Sequence, residues 1–408
     1  MFKPVRILQV SIFNLLLVGC AATQTSSPPT NAHSTQPAPM ASDSGMGATT
    51  LTVPDAAPSI QAGRSLPGSG GFLQPNGELT SNIQAYADEV ARARGVPIGH
   101  VEALLKQAQY NAAAVKLMTP SKNRIRRSWV TYRNRFVEPV RINAGEKFWA
   151  ENKAVLDQVE RNYGVPQSII VAIIGVETVY GRNTGSFRVL DALTTLGFRY
   201  PDSSRPERSQ LFRDQLADLI ELDYQNKLDA RQATGSFAGA MGLPQFMPGS
   251  LMRYAADGNN DSHIDLYSVD DAIASVARFL RLHGWAPGLP VFAPAILPQN
   301  PQALVVGGLY PTLDWVHLQA QGAKLRPAMG NAAAVSGQGA NAAQNQDWTR
   351  HKLGVVDLLD EPRNTAEYRL GTPNFFAITH YNRSYFYAAS VADLAQALAD
   401  RMGYGWPN

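Results

Sequence analysis

The sequence predicts a mainly α-helical protein that carries a small β-rich insertion. From about residue 75, long stretches of the chain repeat apolar side chains with the period of an amphipathic helix. Between about 286 and 370 that period weakens, and short β-branched runs alternate with Gly and Pro. With 408 residues, of which 45% are hydrophobic, the chain is long enough for about two or three domains with a sizeable core.

The helical stretches follow one another along the first part of the body and return near the end of the chain. They cover 82–94, 99–108, 145–163, 167–180, 209–223, 271–283 and 393–402. Within the insertion, the runs at 303–306 and 354–356 predict strands. The segment 330–344 is rich in Gly, Ala, Asn and Gln without an amphipathic pattern, so it predicts a loop.

The first twenty residues are typical of a secretory signal sequence. Lys3 and Arg6 precede an apolar stretch that is too short to span a bilayer and that ends at Gly19 and Cys20. The four residues ending at Cys20 resemble the bacterial lipobox; an ordinary small residue beside a cleavage site is the alternative. The resemblance implies a lipid on Cys20, and the Ala that follows favours the outer membrane of a Gram-negative bacterium, with the protein facing the periplasm.

Cys20 is the only cysteine in the chain, which excludes an internal disulfide and a cysteine-ligated metal cluster. Residues 21–75 consist largely of Ala, Ser, Thr, Pro, Gln and Gly. Such a segment has few side chains to bury and cannot offset its chain entropy by packing. We therefore expect a flexible tether between a signal peptide at 1–20 and the folded body.

The charge of the chain is nearly balanced, with 36 Lys and Arg against 33 Asp and Glu. No global field attracts the protein to nucleic acid. The segment 122–135 contains six basic residues with Trp129 and Tyr132 among them, a composition also found in nucleic-acid-binding proteins. The secretory signal argues against that partner and favours a solvated helix face or a contact with an anionic glycan.

Glu177 is the first candidate for chemistry. It follows a run from Val165 and Pro166 that is apolar on nearly all sides, which predicts a buried helix with Pro at its first turn. A carboxyl group removed from water has a raised pKa and can donate a proton near neutral pH. A solvated Glu in the last turn of a helix is the alternative.

Three sequence blocks around and after Glu177 resemble the family 3 lytic transglycosylases. The similarity covers about 76–408 and is strongest between 163 and 285. The blocks are Gly175-Val-Glu-Thr-x-Tyr-Gly-Arg-x-x-Gly185 with Val189-Leu-Asp-Ala-Leu-x-Thr-Leu-x-Phe-x-Tyr-Pro201, then Ser236-Phe-Ala-Gly-Ala-Met-Gly-x-Pro-Gln-Phe-Met-Pro248, and Ile378-Thr-x-Tyr-Asn-x-Ser-x-x-Tyr387.

The resemblance implies a lysozyme-like helical core at 156–285 and an additional helical domain at 76–155. The β-rich insertion at 286–365 and a return to the core at 366–408 complete this organisation. Glu177 is then the single catalytic acid and base, and Arg208 matches an arginine that contacts acidic stem peptides. The positions that match the lining of the family's cleft are Ser236, Gln245, Tyr381, Asn382 and Tyr387. Taken alone, each of these would more often be a packed or capping residue.

The implied reaction cuts the β-1,4 bond between N-acetylmuramic acid and N-acetylglucosamine in peptidoglycan. It forms a 1,6-anhydromuramyl end, consumes no water and needs no organic cofactor. The implied partners are glycan strands with their stem peptides, the outer membrane through Cys20, and complexes for cell-wall synthesis or division. Two alternatives are a wall-binding lipoprotein without activity and a muramidase that uses water.

A loop after residue 256 has the pattern of a calcium site. Asp257, Asn259, Asp261 and His263 alternate along the chain, as oxygen ligands do in an EF-hand loop. Ser262 replaces the usual Gly and Ser268 the usual Glu, so by this pattern alone a surface turn rich in Asx residues is equally supported. The family resemblance implies a longer loop that Asp271 closes around a structural Ca²⁺, with His263 contributing its backbone carbonyl.

Overall fold

We describe the protein from a computed structural model, which covers residues 71–121, 123–326 and 346–405. The predicted signal peptide, Cys20, the tether up to residue 70 and the loop at 330–344 lie outside these residues. Within the described ranges, none of the helices combines the length and the apolar character needed to cross a bilayer. The folded body includes Phe72, which is 2% exposed and lies under the guanidinium of Arg199, so packing begins before residue 76.

The structure is mainly α-helical, which confirms the predicted fold class. The helices are α1 (Ser81–Arg94), α2 (Ile98–Leu105), α3 (Ala112–Met118), α4 (Trp129–Arg133), α5 (Pro139–Glu151), α6 (Lys153–Tyr163), α7 (Gln167–Thr178), α8 (Val189–Phe198), α9 (Pro206–Tyr224), α10 (Pro248–Tyr254), α11 (Val269–Leu282), α12 (Trp315–Ala320), α13 (Pro373–Tyr381) and α14 (Tyr385–Met402). The strands are β1 (Phe187–Arg188), β2 (Thr234–Gly235), β3 (Ala295–Ile296), β4 (Lys324–Leu325), β5 (Gly354–Asp360) and β6 (Thr365–Gly371).

Several predicted helices end or begin at different places from those expected, and the differences are largest for two of them. The stretch 145–163 is two helices, because Asn152 leaves the helical conformation at φ −113° and ψ 21°. Helix α14 begins eight residues before the predicted start at 393, where the Ser384 side chain accepts a hydrogen bond from the backbone of Tyr387. Side-chain capping of this kind satisfies the free amides of a first turn.

The two predicted strands of the insertion have different outcomes. The run at 354 is confirmed and extends as β5, which pairs antiparallel with β6 from Gly354 opposite Gly371 to Asp360 opposite Thr365. The strand predicted at 303–306 is wrong, because Pro301–Leu304 forms a short 3₁₀ helix. A β-branched run of four residues is too short to set its own structure against its surroundings.

Helix α7 lies at the centre of the main hydrophobic core. Its residues from Gln167 to Val176 are all buried, as expected for a helix that is apolar on every side. Helices α5, α6, α11 and α14 pack around it. At its start, Trp149 of α5 donates a hydrogen bond from Nε1 to the side chain of Gln167 at 2.7 Å, which satisfies a polar group in that core.

The insertion has a small core of its own and contacts the basic segment. Trp315 and Trp348 meet edge to face at 4.9 Å within a second cluster of buried apolar side chains. At the turn between β5 and β6, Glu361 lies 3.1 Å from Arg127 and 3.4 Å from Arg124. Trp129 donates a hydrogen bond to Glu367 of β6 at 2.9 Å. Part of the basic segment is therefore neutralised by ion pairs within the chain.

Candidate active site

The site is built at the end of helix α7. Glu177 lies in the last turn of this helix, which ends at Thr178. The next three residues, Val179, Tyr180 and Gly181, all have positive φ angles, of 52°, 59° and 83°. This conformation is unfavourable for a β-branched residue such as Val179, and backbone strain of this kind is concentrated at functional sites. The chain therefore turns away sharply just after Glu177.

The ring of Tyr180 fills a slot between α5 and α7. A β-carbon on Gly145 of α5 would lie 2.9 Å from Cζ of this ring, and one on Gly175 of α7 would lie 2.6 Å from it. The missing side chains at both positions thus make room for the tyrosine. Arg141 donates from Nε to the carbonyl oxygen of Gly175 at 2.8 Å and holds the same turn. These contacts fix the direction in which α7 presents Glu177.

Glu177 accepts a hydrogen bond from Tyr387 of helix α14. The phenol oxygen of Tyr387 donates to Oε1 at 2.6 Å. Burial away from water raises the pKa of Glu177 to about 7, while the hydrogen bond from Tyr387 acts in the opposite direction by favouring the carboxylate. With this pKa, the group is present in both protonation states near neutral pH, so it can donate a proton and take one back.

Two more tyrosines lie within electrostatic reach of Glu177. The ring of Tyr381 stacks on that of Tyr387 at 6.3 Å, and its hydroxyl donates to the carbonyl oxygen of Pro244 at 2.6 Å. Burial, with the negative charge of Glu177 as the next cause, raises the pKa of both Tyr381 and Tyr132. All three phenols therefore remain protonated and can donate hydrogen bonds at any physiological pH.

Tyr132 was not predicted as a site residue. It belongs to the basic segment at 122–135, but the structure buries it in α4 with its ring 5.5 Å from that of Phe386. Its spacing of three residues from Trp129, which is also buried, is the signal that indicates an inward helix face. The position of that face beside Glu177 depends on contacts over long sequence distances.

The predicted cleft residues Ser236 and Gln245 stabilise the turn of the second block. Ser236 Oγ accepts a hydrogen bond from the backbone of Ala240 at 3.1 Å. Gln245, with φ 51°, donates from Nε2 to the carbonyl oxygens of Thr184 at 3.1 Å and Gly242 at 2.9 Å. Through Thr184 this block contacts the loop that follows Glu177.

A second hydrogen bond ties the same block to the end of α7. The hydroxyl of Thr178 donates to the carbonyl oxygen of Leu243 at 3.1 Å. The first and second sequence blocks therefore meet in space, one residue after Glu177. Together with Tyr381 and Tyr387, they bring all three blocks to the same end of α7.

Asn382 and Arg208 are placed differently from the tyrosines. Asn382 is the C-terminal cap of α13, directly after Tyr381. Arg208 lies in the first turn of α9, and its charge acts on Tyr200. Among the described hydrogen bonds and ion pairs, none connects the Arg208 side chain to Glu177.

In the calcium-like loop, oxygen-bearing side chains accept hydrogen bonds from the loop's own backbone. Asp257 accepts from the amides of Asn260 at 2.7 Å and Ser262 at 2.8 Å, and Asp261 accepts from His263 at 2.8 Å. Such turns also occur in loops that bind no metal. In the described part of the chain, no three His, Cys, Asp or Glu side chains converge as metal ligands.

Asp271 closes this loop through hydrogen bonds to backbone at both ends. It is 1% exposed, and its two oxygens accept from the amides of Gly258 at 2.8 Å and Asp265 at 2.7 Å. Asn260 and Ser262 have positive φ angles of 62° and 68°, which gives the loop its tight curvature. The donor set is made of hard oxygens, as Ca²⁺ requires.

Comparison with known proteins identifies the family. A family model described as the transglycosylase SLT domain matches residues 78–396. The chain belongs to this transglycosylase family. It is 33% identical over 349 residues to the membrane-bound lytic murein transglycosylase B of Escherichia coli strain K12, covering 81% of this chain and 89% of that protein.

Solved structures of this transglycosylase family share the fold. The soluble lytic transglycosylase SltB1 from Pseudomonas aeruginosa is 36% identical, with a TM-score of 0.66 over 79% of this chain and 99% of that one. The lytic transglycosylase Slt35 of Escherichia coli in complex with calcium is 32% identical, with a TM-score of 0.63 over 84% and 96%. SltB3 from Pseudomonas aeruginosa in complex with NAG-anhNAM-pentapeptide is 25% identical, with a TM-score of 0.61 over 80% and 83%. The predicted lysozyme-like helical core is thereby confirmed.

Proposed function

We propose that this transglycosylase cleaves the β-1,4 bond between N-acetylmuramic acid and N-acetylglucosamine, with Glu177 as its acid and base. The observation that carries this assignment is a partly buried carboxyl group at the end of α7 that accepts a hydrogen bond from Tyr387. Its removal from water raises its pKa to about 7. Membership of the family and the murein-cleaving activity named for its Escherichia coli relative support the substrate.

In the first step, protonated Glu177 donates its proton to the glycosidic oxygen while the bond from C1 of the muramyl ring to that oxygen breaks. The oxygen of the 2-acetamido group of the same sugar bonds to C1, so the substrate supplies the group that a second carboxylate supplies in most glycosidases. The hydrogen bond from Tyr387 stabilises the carboxylate that Glu177 becomes.

In the second step, the Glu177 carboxylate removes the proton of the C6 hydroxyl. The C6 oxygen then bonds to C1 as the acetamide oxygen leaves, which closes the 1,6-anhydro ring and returns the proton to Glu177. Neither step consumes water. Tyr132 keeps its proton near this carboxyl and can donate a hydrogen bond that orients the sugar.

The test is digestion of purified sacculi by the parent and by Glu177→Gln, with mass spectrometry of the released muropeptides. We expect products lighter by one water than hydrolysed ones, and a rate for Glu177→Gln lower by about 10²–10⁴, the contribution of a general acid. Fragments with reducing ends would indicate a muramidase. Equal digestion by the two proteins would remove Glu177 from the mechanism.

We propose that a lipid on Cys20 anchors the protein in the outer membrane, where the tether lets the catalytic body reach the wall. The support is the lipobox-like sequence and the membrane-bound relative. Labelling of cells with an alkyne-bearing fatty acid should mark the parent and leave Cys20→Ala unmarked. If Cys20→Ala still fractionates with the outer membrane, another segment provides the anchor.

We propose that the loop from Asp257 to Asp271 binds a structural Ca²⁺. The oxygen donors of Asp257, Asn259 and Asp261, with the carbonyl of His263, suit this ion, and Asp271 holds the two ends of the loop together. The calcium complex of the relative Slt35 supports the choice of metal. The ion contributes to loop order, since the proposed chemistry needs no metal-activated water.

We also propose that Arg208 contacts the acidic stem peptides of the substrate. Its guanidinium lies on the first turn of α9 and makes no ion pair among the described residues, so it is available for a carboxylate. The substitution Arg208→Ala should weaken digestion of peptide-bearing strands and leave digestion of peptide-free strands unchanged. If Arg208→Ala weakens digestion of peptide-bearing and peptide-free strands equally, Arg208 has another role.

A further inference from the structure

A row of aromatic and imidazole rings connects the Glu177 site to the insertion. We call it the aromatic ladder, and its members are Tyr381, Phe279, His283, His380 and Tyr310. Successive ring centroids are 4.8 Å apart from Tyr381 to Phe279, 4.0 Å to His283, 5.1 Å to His380 and 5.4 Å to Tyr310. At its inner end Tyr381 stacks on Tyr387, which donates to Glu177.

The ladder becomes more exposed as it leaves the catalytic carboxyl. Phe279 is buried, His283 and His380 are partly buried, and Tyr310 is 68% exposed. Tyr310 thus presents an aromatic ring with a polar hydroxyl to solvent, at the end of a continuous row of rings. The outer end of the row is therefore accessible to a ligand.

The loop that carries Tyr310 is fixed to the helix that carries Tyr387. The hydroxyl of Tyr385, in the first turn of α14, donates to the carbonyl oxygen of Gly308 at 2.6 Å. Gly307 and Gly308 have φ angles of 76° and 86°, which an L side chain rarely adopts. The position of Tyr310 is thus set by the same helix that supplies the donor to Glu177.

The chemistry of the outer rings suits sugars. Burial lowers the pKa of His283 and of His380, so both imidazoles are neutral near neutral pH. Neutral flat rings pack against the C–H faces of a pyranose, while imidazole and phenol groups can exchange hydrogen bonds with its hydroxyl and acetamido groups.

We propose that Tyr310, His380 and His283 form a distal subsite that binds sugars of the glycan strand beyond the bond being cut. This inference rests on the proposed function, because continuity with Glu177 makes the same strand the occupant. A strand held at both places stays aligned at Glu177 more often than a short fragment does. The enzyme then prefers long glycan strands to short ones.

The test measures binding in the Glu177→Gln background, so that the ligand is not consumed. The probes are peptide-free glycan strands prepared from sacculi and a peptide-free tetrasaccharide of the same repeat, titrated by calorimetry. We expect Tyr310→Ala to reduce the ratio of long-strand affinity to tetrasaccharide affinity by about threefold to tenfold, the range for one aromatic contact. Tyr310→Phe, which keeps the ring, should retain most of that ratio.

Tyr224 provides a matched control outside the aromatic ladder. Tyr224 is 44% exposed and meets the ring of His100 edge to face at 5.4 Å, the same separation as between Tyr310 and His380. Because it lies outside the ladder, Tyr224→Ala should leave the affinity ratio unchanged. An equal fall for both variants would show a general effect of removing an exposed tyrosine and would overturn the subsite.

The remaining outcomes separate this proposal from the proposed function. If Tyr310→Ala leaves the ratio unchanged while the parent releases anhydro products from sacculi, the distal subsite is wrong and the transglycosylase assignment stands. If the Glu177→Gln protein binds neither probe and the parent releases no anhydro product, the proposed function fails and the subsite fails with it.

Discussion

A β-carbon built on Gly175 would lie 2.6 Å from Cζ of Tyr180. These two residues, which precede and follow Glu177 in the sequence, therefore interlock. Tyr180 can occupy this place because the backbone from Val179 to Gly181 is left-handed. The strained backbone places the ring of Tyr180 against Gly175, and this contact fixes the end of α7, the helix that carries Glu177.

Gly175→Ala should therefore destabilise the fold by about 1–3 kcal/mol, the usual cost of overpacking a core. We expect at least about a tenfold loss of activity as well, since small misplacements of a reacting group have large kinetic effects. The measurements are urea unfolding and the digestion rate of sacculi. The matched control is Gly99→Ala in α2, where a β-carbon meets nothing within 4 Å. If Gly175→Ala unfolds at the same urea concentration as the parent, the interlock has no energetic role.

Tyr387→Phe removes the hydrogen bond that favours the charged form of Glu177, so the pKa of Glu177 should rise further above its present value of about 7. The first step requires the protonated acid, and its rate falls as pH rises through that pKa. We expect the alkaline limb of the pH–rate profile to move to higher pH while the maximum rate falls about tenfold. Tyr381→Phe is the control, because Tyr381 donates to Pro244. A limb that moves to lower pH in Tyr387→Phe would contradict this account.

The raised pKa of Glu177 also makes the stability of the protein depend on pH. Between its usual pKa of 4.5 and about 7, the folded protein holds a proton that the unfolded chain has lost, so stability falls as pH rises through this window. The full cost above pH 7 is about 3 kcal/mol. Glu177→Gln should recover most of it at pH 8 and little at pH 4, as measured by urea unfolding. Glu151→Gln, at an exposed position paired with Lys147, should show no such difference between the two pH values.

Calcium should raise the melting temperature of the parent, and the increase should be lost in Asp261→Asn. A ligand at about 100 times its Kd adds about 2.7 kcal/mol to folding stability. Asp261→Asn should melt like the parent in EDTA, because its hydrogen bonds lie at the surface of the loop. Asp271→Asn should melt at lower temperature in EDTA too, since its two buried oxygens both accept backbone amides. Thermal scans with calcium and with EDTA provide the comparison. An equal calcium response in Asp261→Asn would place the ion elsewhere.

Helix α7 and the position of Glu177 at its end could be predicted from the sequence, because a run of nine apolar or small residues, from Ser168 to Val176, predicts a helix buried on all sides. The pairing of Glu177 with Tyr387 could not be predicted from periodicity, since 210 residues separate them. The end of α7 at Thr178 was missed for a related reason. A left-handed Val179 contradicts local preference and persists because Tyr180 is held between α5 and the last turns of α7.

In the insertion, too, the structure of a short run depends on its neighbours and not on its own residues alone. The run at 354 formed a strand because a partner, β6, follows directly and pairs with it in register. The run at 303 follows Pro301, and its first two residues belong to the 3₁₀ helix that begins at that proline. Tyr310, which ends the aromatic ladder, lies just after that turn and carries no sequence signal of its own.

The hydrogen bond from Tyr387 to Glu177 joins residues that are synthesised at different times during translation. Glu177 is made early in translation, whereas its donor emerges from the ribosome more than half a chain later. Helix α14 is thus needed to complete the site, and a chain truncated before Tyr385 keeps Glu177 without the group that donates a hydrogen bond to it.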